Sequence, residues 1–259
     1  MSSTRWSGVG DAYARSFASL CVGTVELLLD RTRGTDHLDV GCGAGTLARA
    51  AAERGRRVLA VDPDPDMTGL TRAATEGLDV RVAEASLPAL GLPDAAYDAV
   101  TANFVVNHVP DPRAGVRELA RVARPGAPVA VTSWTNGPTL QARLFRDSFA
   151  AAGAVAVPGQ RLPAHLDYER SVDGVAGLLT EAGLTVTASG EHRWDWRVSW
   201  EDLWAGISGG VGGVGETYLA QTDEVRADLE RELRARCAEH ETGGVVTMPS
   251  VAAWAVAAR

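Results

Sequence analysis

From about residue 35 onward, short apolar runs that end in turn residues alternate with segments of helical periodicity. The apolar runs are HLDV, VLAV, VRVAEA, DAVTANF and PVAVTSW. Apolar residues at spacings of three and four, closed by Gly or Pro, predict helices over 46–54, 66–74 and 113–123. Strands that alternate with helices at this interval favour an α/β fold with a Rossmann-like, doubly wound and mostly parallel sheet.

The flanking segments predict additions to this core. Apolar positions in residues 8–30 predict one amphipathic helix that could act as a lid. Residues 135–168 break the strand and helix rhythm with two Pro-rich turns, which favours a helical cap. We therefore predict one domain over 1–259, divided into N-terminal lid helices (1–34), a cofactor-binding core (35–134), a cap insertion (135–170) and the C-terminal half of the sheet (171–259).

The C-terminal half predicts a helix over 171–182, a strand over 184–196 and a final strand within 245–259. A helical insert at about 197–240 separates the two strands. Its glycine-rich run, ISGGVGGVG, does not follow a buried strand and lacks the lysine of a P-loop, so we interpret it as a flexible connection.

The amino-acid composition argues against several classes of function. The 259 residues carry a formal net charge of −8, which argues against a nucleic-acid partner. All basic side chains are arginine, which excludes chemistry that needs a lysine amine. The three scattered cysteines lack the spacing of a disulfide framework or zinc site, so we expect no metal and a reducing, cytoplasmic location. No apolar run approaches the length of a membrane helix, so no membrane association is expected.

The most informative segment is a glycine-rich turn after the first strand, LDVGCGAGT. Glycine at positions 41 and 43, on either side of Cys42, lets the backbone approach a ligand closely, since neither residue carries a Cβ. A dinucleotide fingerprint would need a third glycine where Thr46 stands, so a pyrophosphate is not the expected ligand. The segment predicts a nucleotide-type site without a diphosphate.

Two acidic residues end the next two strands. Asp62 follows the second strand, where a carboxylate can accept hydrogen bonds from both hydroxyls of a ribose. Glu84 ends the third strand, where its carboxylate could accept from an adenine amine while the Ala85 amide donates to the ring. Together the two acids predict recognition of an adenosine, although Asp62 could also be only a helix-start acid.

The ordered motifs resemble class I S-adenosylmethionine-dependent methyltransferases, in the branch similar to ubiquinone and menaquinone biosynthesis methyltransferases. The resemblance rests on LDVGCGAGTLA, VLAVDPDPDM, AEASLPALGLPDAAYDAV, NHVPDP and ELARVARPGAPVAV, and it covers about residues 35–134. It implies a seven-stranded sheet with a reversed final strand, S-adenosylmethionine at the carboxyl ends of strands one to four, and substrate under a variable cap. Glu84 departs from the aspartate usual in the family.

Further cofactor contacts follow from position in this arrangement. Asp39 would supply negative charge near the ammonium and sulfonium of the cofactor, or merely cap the turn. Pro63 and Met67 would lie beside the adenine face, or simply pack. Asn103 and Phe104 end the fourth strand, where ligands gather. The resemblance implies that Tyr13, on the lid, reaches the cofactor carboxylate or the substrate; core packing is the alternative.

Methyl transfer needs a base only when the acceptor must lose a proton. His108, just past the fourth strand, is the first candidate base, although it could simply orient the backbone of its loop. His165 and Tyr168 in the cap are further catalytic candidates. His192 lies on a predicted strand and is a weaker candidate.

Tryptophans near the cap and last strands predict an apolar, aromatic pocket. Trp194 and Trp196 alternate on a strand and so share one face of it, while Trp200 and Trp204 share a helix face.

Taken with the family resemblance, the sequence predicts a methyltransferase, monomeric or homodimeric, that acts on an O, N or C atom of a small aromatic or hydrophobic metabolite. The alternatives are a protein of this fold that uses the cofactor without methyl transfer, and a nucleotide-dependent oxidoreductase.

Overall fold

The computed structural model describes residues 6–158 and 162–259, which fold around a central mixed sheet. Five parallel strands form one half: Asp36–Val40 (β1), Arg57–Asp62 (β2), Val80–Glu84 (β3), Ala99–Ala102 (β4) and Pro128–Trp134 (β5). The other half contains Thr185–Ser199 (β6), the two-residue strand Glu241–Thr242 (β7) and Val245–Ala258 (β8). The main strand order is β3-β2-β1-β4-β5-β8-β6, and β7 pairs with β8.

The final long strand runs against its neighbours. β8 is antiparallel to both β5 and β6, so β6 points in the same direction as β1 to β5. This confirms the mostly parallel, Rossmann-like α/β sheet with a reversed last strand; the strand β7 is an addition to the seven that were predicted. Because β1 to β5 are parallel, their carboxyl ends meet at one edge, where ligands collect in such folds.

Helices cover both faces of the sheet. They are Gly10–Arg15 (α1), Phe17–Cys21 (α2), Val25–Arg31 (α3), Thr46–Glu53 (α4), Pro65–Ala74 (α5), Pro112–Val122 (α6), Leu140–Ala151 (α7), Val172–Glu181 (α8), Trp200–Ser208 (α9), Gly212–Leu219 (α10) and Asp223–Ala238 (α11). Residues of α6 and α8 pack in one core cluster, and residues of α3 and α4 in a second. A third cluster joins the distal parts of β6 and β8 to α9 and α11.

The N-terminal segment differs from the single helix predicted over 8–30. It forms α1, α2, a 3-10 turn at Val22–Thr24 and α3. Ser16 breaks the first helix because its backbone leaves the helical region (φ −114°, ψ −92°). The Ser16 hydroxyl donates to the Ala12 carbonyl (2.6 Å), and α1 packs against α9. Contacts with a distant part of the chain therefore fold a helical pattern into short pieces.

The glycine-rich run is not the flexible connection that was predicted. Its first residues end α9 and its last residues begin α10, with a tight turn between them. A Cβ on Gly215 would lie 2.3 Å from the carbonyl carbon of Gly210, so the glycine permits close backbone packing. In the region predicted as a helical cap, α7 is the one helix among the described residues, and the remainder is irregular.

Candidate active site

A glycine loop connects β1 to α4 at the carboxyl edge of the sheet. The amides of Gly41 and Cys42 both donate to the Val61 carbonyl, at 2.7 and 3.0 Å, which ties the loop to the end of β2. Gly41 and Gly43 adopt positive φ angles of 70° and 53°, a backbone region that disfavours other residues. The loop is therefore fixed in a conformation that this sequence pattern specifies.

Asp62 connects this loop to the end of β2. Its carboxylate accepts from the Gly43 amide (3.0 Å) with one oxygen and from the Asp64 amide (3.1 Å) with the other. Burial raises the pKa of Asp62 although these two hydrogen bonds oppose the shift. Each carboxylate oxygen can accept more than one hydrogen bond, so Asp62 retains the capacity to bind a diol.

Asp39 is the most unusual acid at this edge. Its side chain is 1% exposed, and one carboxylate oxygen, Oδ1, accepts from the Thr101 hydroxyl (3.2 Å). The other oxygen, Oδ2, is buried without a hydrogen-bond partner among the described residues. Burial, with the nearby charge of Asp62, raises the pKa of Asp39 to about 7, although the Thr101 hydroxyl and the nearby Ala48 amide at the start of α4 oppose the shift. A buried acceptor left unpaired beside the glycine loop fits a cationic ligand.

Asp39 lines a cavity of about 30 Å³ between the loop and the N-terminal helices. Its other lining side chains include Tyr13, Cys21, Cys42 and Asn103. The cavity is small, and its lining comes from the glycine loop together with the N-terminal helices.

Tyr13 forms the cover of this cavity. Its ring lies 3.3 Å from the position that a Cβ on Gly43 would occupy. The Tyr13 hydroxyl contacts the sulfur of Cys21 (3.8 Å), and Trp6 packs edge-on against the ring at 5.6 Å between centroids. Burial, followed by the neighbouring Cys21, raises the pKa of Tyr13 well above its usual range. Tyr13 thus packs against the glycine loop, and its contact with the cofactor carboxylate or the substrate stays a prediction.

The residues predicted at the adenine end differ in their surroundings. Met67 is buried at the start of α5, whereas Pro63 and Glu84 are exposed. Glu84 stands opposite Asp62 in the strand register, so both acids lie at one edge. The Ala85 amide was predicted to donate to an adenine ring. It instead donates to the Asp62 carbonyl (3.2 Å), because the hydrogen bonding between β2 and β3 extends one residue beyond the end of β3.

Asn103 fastens the end of β4 to its surroundings. Its side-chain carbonyl accepts from the hydroxyls of Thr132 (2.6 Å) and Thr24 (2.8 Å), and its amide donates to the Cys21 carbonyl (3.2 Å). Sequence reasoning missed this connection to the N-terminal segment, since Thr24 and Cys21 are distant in the chain. Asn103 still lines the cavity beside Asp39.

Phe104 begins an aromatic cluster at the carboxyl ends of β4 and β5. Its φ angle of 58° is unusual for a residue with a side chain, and its ring stacks on Trp134 with centroids 3.8 Å apart. Trp194 lies 6.1 Å from Trp134 and 6.4 Å from Phe104. Its neighbour on the same strand face, Trp196, is fully buried in the core. The two rings share a strand face, and their different positions along β6 place Trp194 in the aromatic cluster and Trp196 in the core.

The three predicted catalytic residues occupy separate environments. His108 is exposed after β4, and the indole of Trp6 lies edge-on to its ring at 5.3 Å. His165 is exposed in a turn of the 135–170 region. Tyr168 is buried, with its hydroxyl 2.8 Å from the Ser133 hydroxyl, and burial raises its pKa. A buried phenol with a raised pKa does not favour base catalysis, so Tyr168 is not included in the mechanism proposed below.

Comparison with known proteins identifies the family. A family profile described as "Methyltransferase domain" matches residues 38–131. An uncharacterized protein of Mycobacterium tuberculosis is 31% identical over 224 residues, which are 82% of this chain and 78% of that protein. The demethylmenaquinone methyltransferase of Clavibacter sepedonicus is 31% identical over 160 residues, covering 59% of this chain and 65% of the relative. This chain belongs to the class I S-adenosylmethionine-dependent methyltransferases.

A solved structure supports the fold independently. The YcgJ protein of Bacillus subtilis superposes with a TM-score of 0.57 at 18% identity, covering 91% of this chain and 97% of that protein. Membership of the S-adenosylmethionine-dependent methyltransferases makes S-adenosylmethionine the cofactor of this chain. The Asp39 oxygen that lacks a hydrogen-bond partner among the described residues, beside the glycine loop, fits the cationic end of that molecule.

Among the described residues, no helix combines the length and apolar character needed to cross a bilayer. In the same part of the chain, no group of three or more His, Cys, Asp or Glu side chains is arranged to hold a metal ion.

Removing the Asp62 carboxylate is expected to weaken cofactor binding. The Asp62→Ala variant should lose about 1–3 kcal/mol of binding free energy for S-adenosylhomocysteine, because charge-assisted hydrogen bonds to the ligand disappear. Isothermal titration calorimetry measures this change. The matched control is Asp79→Ala, which removes an exposed carboxylate before β3. Equal affinities of wild type and Asp62→Ala would refute the ribose-binding role.

Cofactor affinity is expected to depend on pH through Asp39. The free enzyme holds this carboxyl at a pKa of about 7, and a bound ammonium lowers that pKa. Affinity for S-adenosylhomocysteine should therefore be constant above this pKa and should fall up to about tenfold per pH unit below it. Titrations between about pH 5.5 and 8 test this, with Asp39→Asn as the variant that loses the dependence. A wild-type affinity that does not change with pH would contradict it.

Proposed function

We propose that this methyltransferase transfers the sulfonium methyl of its cofactor to an O, N or C atom of a small aromatic or hydrophobic metabolite. The observation that carries the proposal is the cluster of Phe104, Trp134 and Trp194 at the carboxyl ends of β4 and β5, where Phe104 directly follows the cavity residue Asn103. Aromatic side chains offer broad apolar faces that suit planar ligands. The cluster therefore supports an acceptor site adjacent to the methionine end of the cofactor.

The backbone conformation of Phe104 adds support. A left-handed φ in a bulky residue costs free energy, and such strain is concentrated at functional sites. Here it is compensated because the Phe104 amide donates to the Thr132 hydroxyl (2.8 Å) and the ring stacks on Trp134. The strained turn thus supports Phe104 as part of the proposed acceptor site.

The chain's contribution to methyl transfer is alignment and exclusion of water. The bound cofactor supplies a methyl group on a positively charged sulfur, which needs little further activation. Asp39 and Asp62 would hold the two ends of the cofactor, and Tyr13 would cover the glycine loop against solvent. Such positioning lowers the entropic barrier to an in-line displacement.

A base is required when the acceptor is a protonated oxygen or nitrogen. His108 is our first candidate, since it lies a few residues beyond the strand end that bears Phe104 and histidine ordinarily titrates near neutral pH. His165 is the second candidate, in the segment that follows α7. Either residue would have to approach the acceptor when the lid and cap close over it.

Methyl-labelled S-adenosylmethionine tests the proposed substrate class. The purified enzyme should label members of a panel of small phenols, quinols and aromatic amines. A Trp134→Ala variant should raise the acceptor KM about tenfold or more, because a stacked face is lost, while the cofactor KM changes little. Label found only in peptides or nucleic acids would refute a small acceptor, and cofactor binding without label transfer would indicate the alternative of an unreactive cofactor.

Histidine substitution tests the base. His108→Ala should lower kcat about 100-fold to 10,000-fold for an acceptor that must lose a proton, while affinity for S-adenosylhomocysteine is retained. His165→Ala provides the comparison between the two candidates, and His240→Ala, in the turn before β7, is the matched control. Full turnover of His108→Ala would exclude it as the base.

A further inference from the structure

A row of buried polar side chains crosses the sheet beneath α3 and α4. His37 and Asp39 alternate on β1, and Thr101 lies beside Asp39 on the neighbouring strand β4. His37 and Thr101 are completely buried, and Arg56, just before β2, is 8% exposed. Burial of a polar group costs free energy unless the group is hydrogen-bonded, so the members of this row depend on one another for partners.

Arg56 anchors one end of the row. Its guanidinium donates to the Leu29 carbonyl (2.6 Å) and the Thr32 hydroxyl (3.3 Å), and lies 2.9 Å from Nδ1 of His37. A guanidinium carries only donors, so Nδ1 of His37 must accept. Burial, together with the charge of Arg56, lowers the pKa of His37 to about 3, which keeps the ring neutral. The proton of the imidazole therefore resides on Nε2.

The direction of every following hydrogen bond is then determined. Nε2 of His37 lies 2.8 Å from the Thr101 hydroxyl oxygen and donates to it. Because this hydroxyl oxygen accepts from His37, the hydroxyl proton of Thr101 is donated to a different acceptor. Its nearest acceptor is Oδ1 of Asp39 at 3.2 Å, ahead of the Leu38 carbonyl at 3.4 Å. The row thus ends on one oxygen of the carboxylate that lines the cavity and leaves the other oxygen unpaired.

We infer that His37, with Arg56, is a positioning residue for the cofactor ammonium. By donating to Thr101 it fixes that hydroxyl as a donor to Oδ1 of Asp39, which orients Oδ2 for the ligand. This inference rests on the proposed role of Asp39 in the site. Asp62 also faces Asp39 and disfavours its charge, whereas the Thr101 hydroxyl and the Ala48 amide favour that charge, so the Thr101 bond is a stabilising contact that the row secures.

Two ligands separate positioning from general damage to the site. S-adenosylhomocysteine carries the ammonium, whereas 5′-methylthioadenosine has the same adenosine and thioether but lacks the amino acid end. The variants are Thr101→Val, His37→Gln, and the double variant His37→Leu with Arg56→Met, which replaces a buried polar pair by apolar groups and leaves no unpaired charge. Thr75→Val is the matched control, since the Thr75 hydroxyl, directly after α5, donates to the Thr71 carbonyl in the last turn of that helix (2.7 Å).

Calorimetry should show that Thr101→Val and the double variant bind S-adenosylhomocysteine about tenfold more weakly while 5′-methylthioadenosine binds as to wild type. His37→Gln should retain most of the affinity, because an amide can accept from Arg56 and donate to Thr101. The pH below which S-adenosylhomocysteine affinity falls should rise in Thr101→Val, since loss of its hydrogen bond raises the pKa of Asp39.

The contrary outcomes are distinct. An unchanged preference for S-adenosylhomocysteine, or equal weakening of both ligands, would overturn the inference and assign the row a structural role only. Failure of the wild-type protein to prefer S-adenosylhomocysteine over 5′-methylthioadenosine would instead refute the underlying role of Asp39 in binding the ammonium. An unshifted pH profile in Thr101→Val would also contradict the positioning role.

Discussion

The carboxylate of Asp62 is the interaction on which the geometry of the site depends. It accepts from Gly43 in the loop after β1 and from Asp64 at the start of α5, so one side chain fixes the ends of two strands relative to each other. The bonds from Gly41 and Cys42 to the Val61 carbonyl complete this junction. Because the junction is buried, little solvent competes for these bonds, and the loop keeps a shape that only glycine accommodates easily.

The sheet could be predicted from the sequence because its strands are short apolar runs that end in turns. Local pattern carries that information, since each central parallel strand is buried on both faces. The N-terminal segment could not be predicted equally well. Its spacing resembles one helix, but Ser16 bends the chain so that α1 can pack on α9, which lies almost 200 residues away. The same limitation applies to Gly215, whose packing partner is visible only in the folded chain.

In the candidate site, too, some features could be predicted from the sequence and others could not. Asp39, Asp62 and the glycine loop follow from spacing, because the carboxyl ends of parallel strands meet at one edge. Burial and pairing do not follow from spacing: the engaged amide of Ala85 and the buried hydroxyl of Tyr168 depend on neighbours from other elements. One available signal was missed, namely His37, which alternates with Asp39 along β1 and so had to share its face.

Several hydrogen bonds hold the N-terminal segment to the sheet, among them bonds to β6 and to the end of β4. The Trp196 indole donates to Ser19 (2.9 Å), the His192 ring bonds to the Gly23 carbonyl (2.9 Å), and Asn103 accepts from Thr24. These bonds surround the aromatic cluster, while Tyr13 of the same segment covers the glycine loop. One segment therefore contacts both the glycine loop and the surroundings of the aromatic cluster, so a displacement of that segment would expose these two parts of the molecule together.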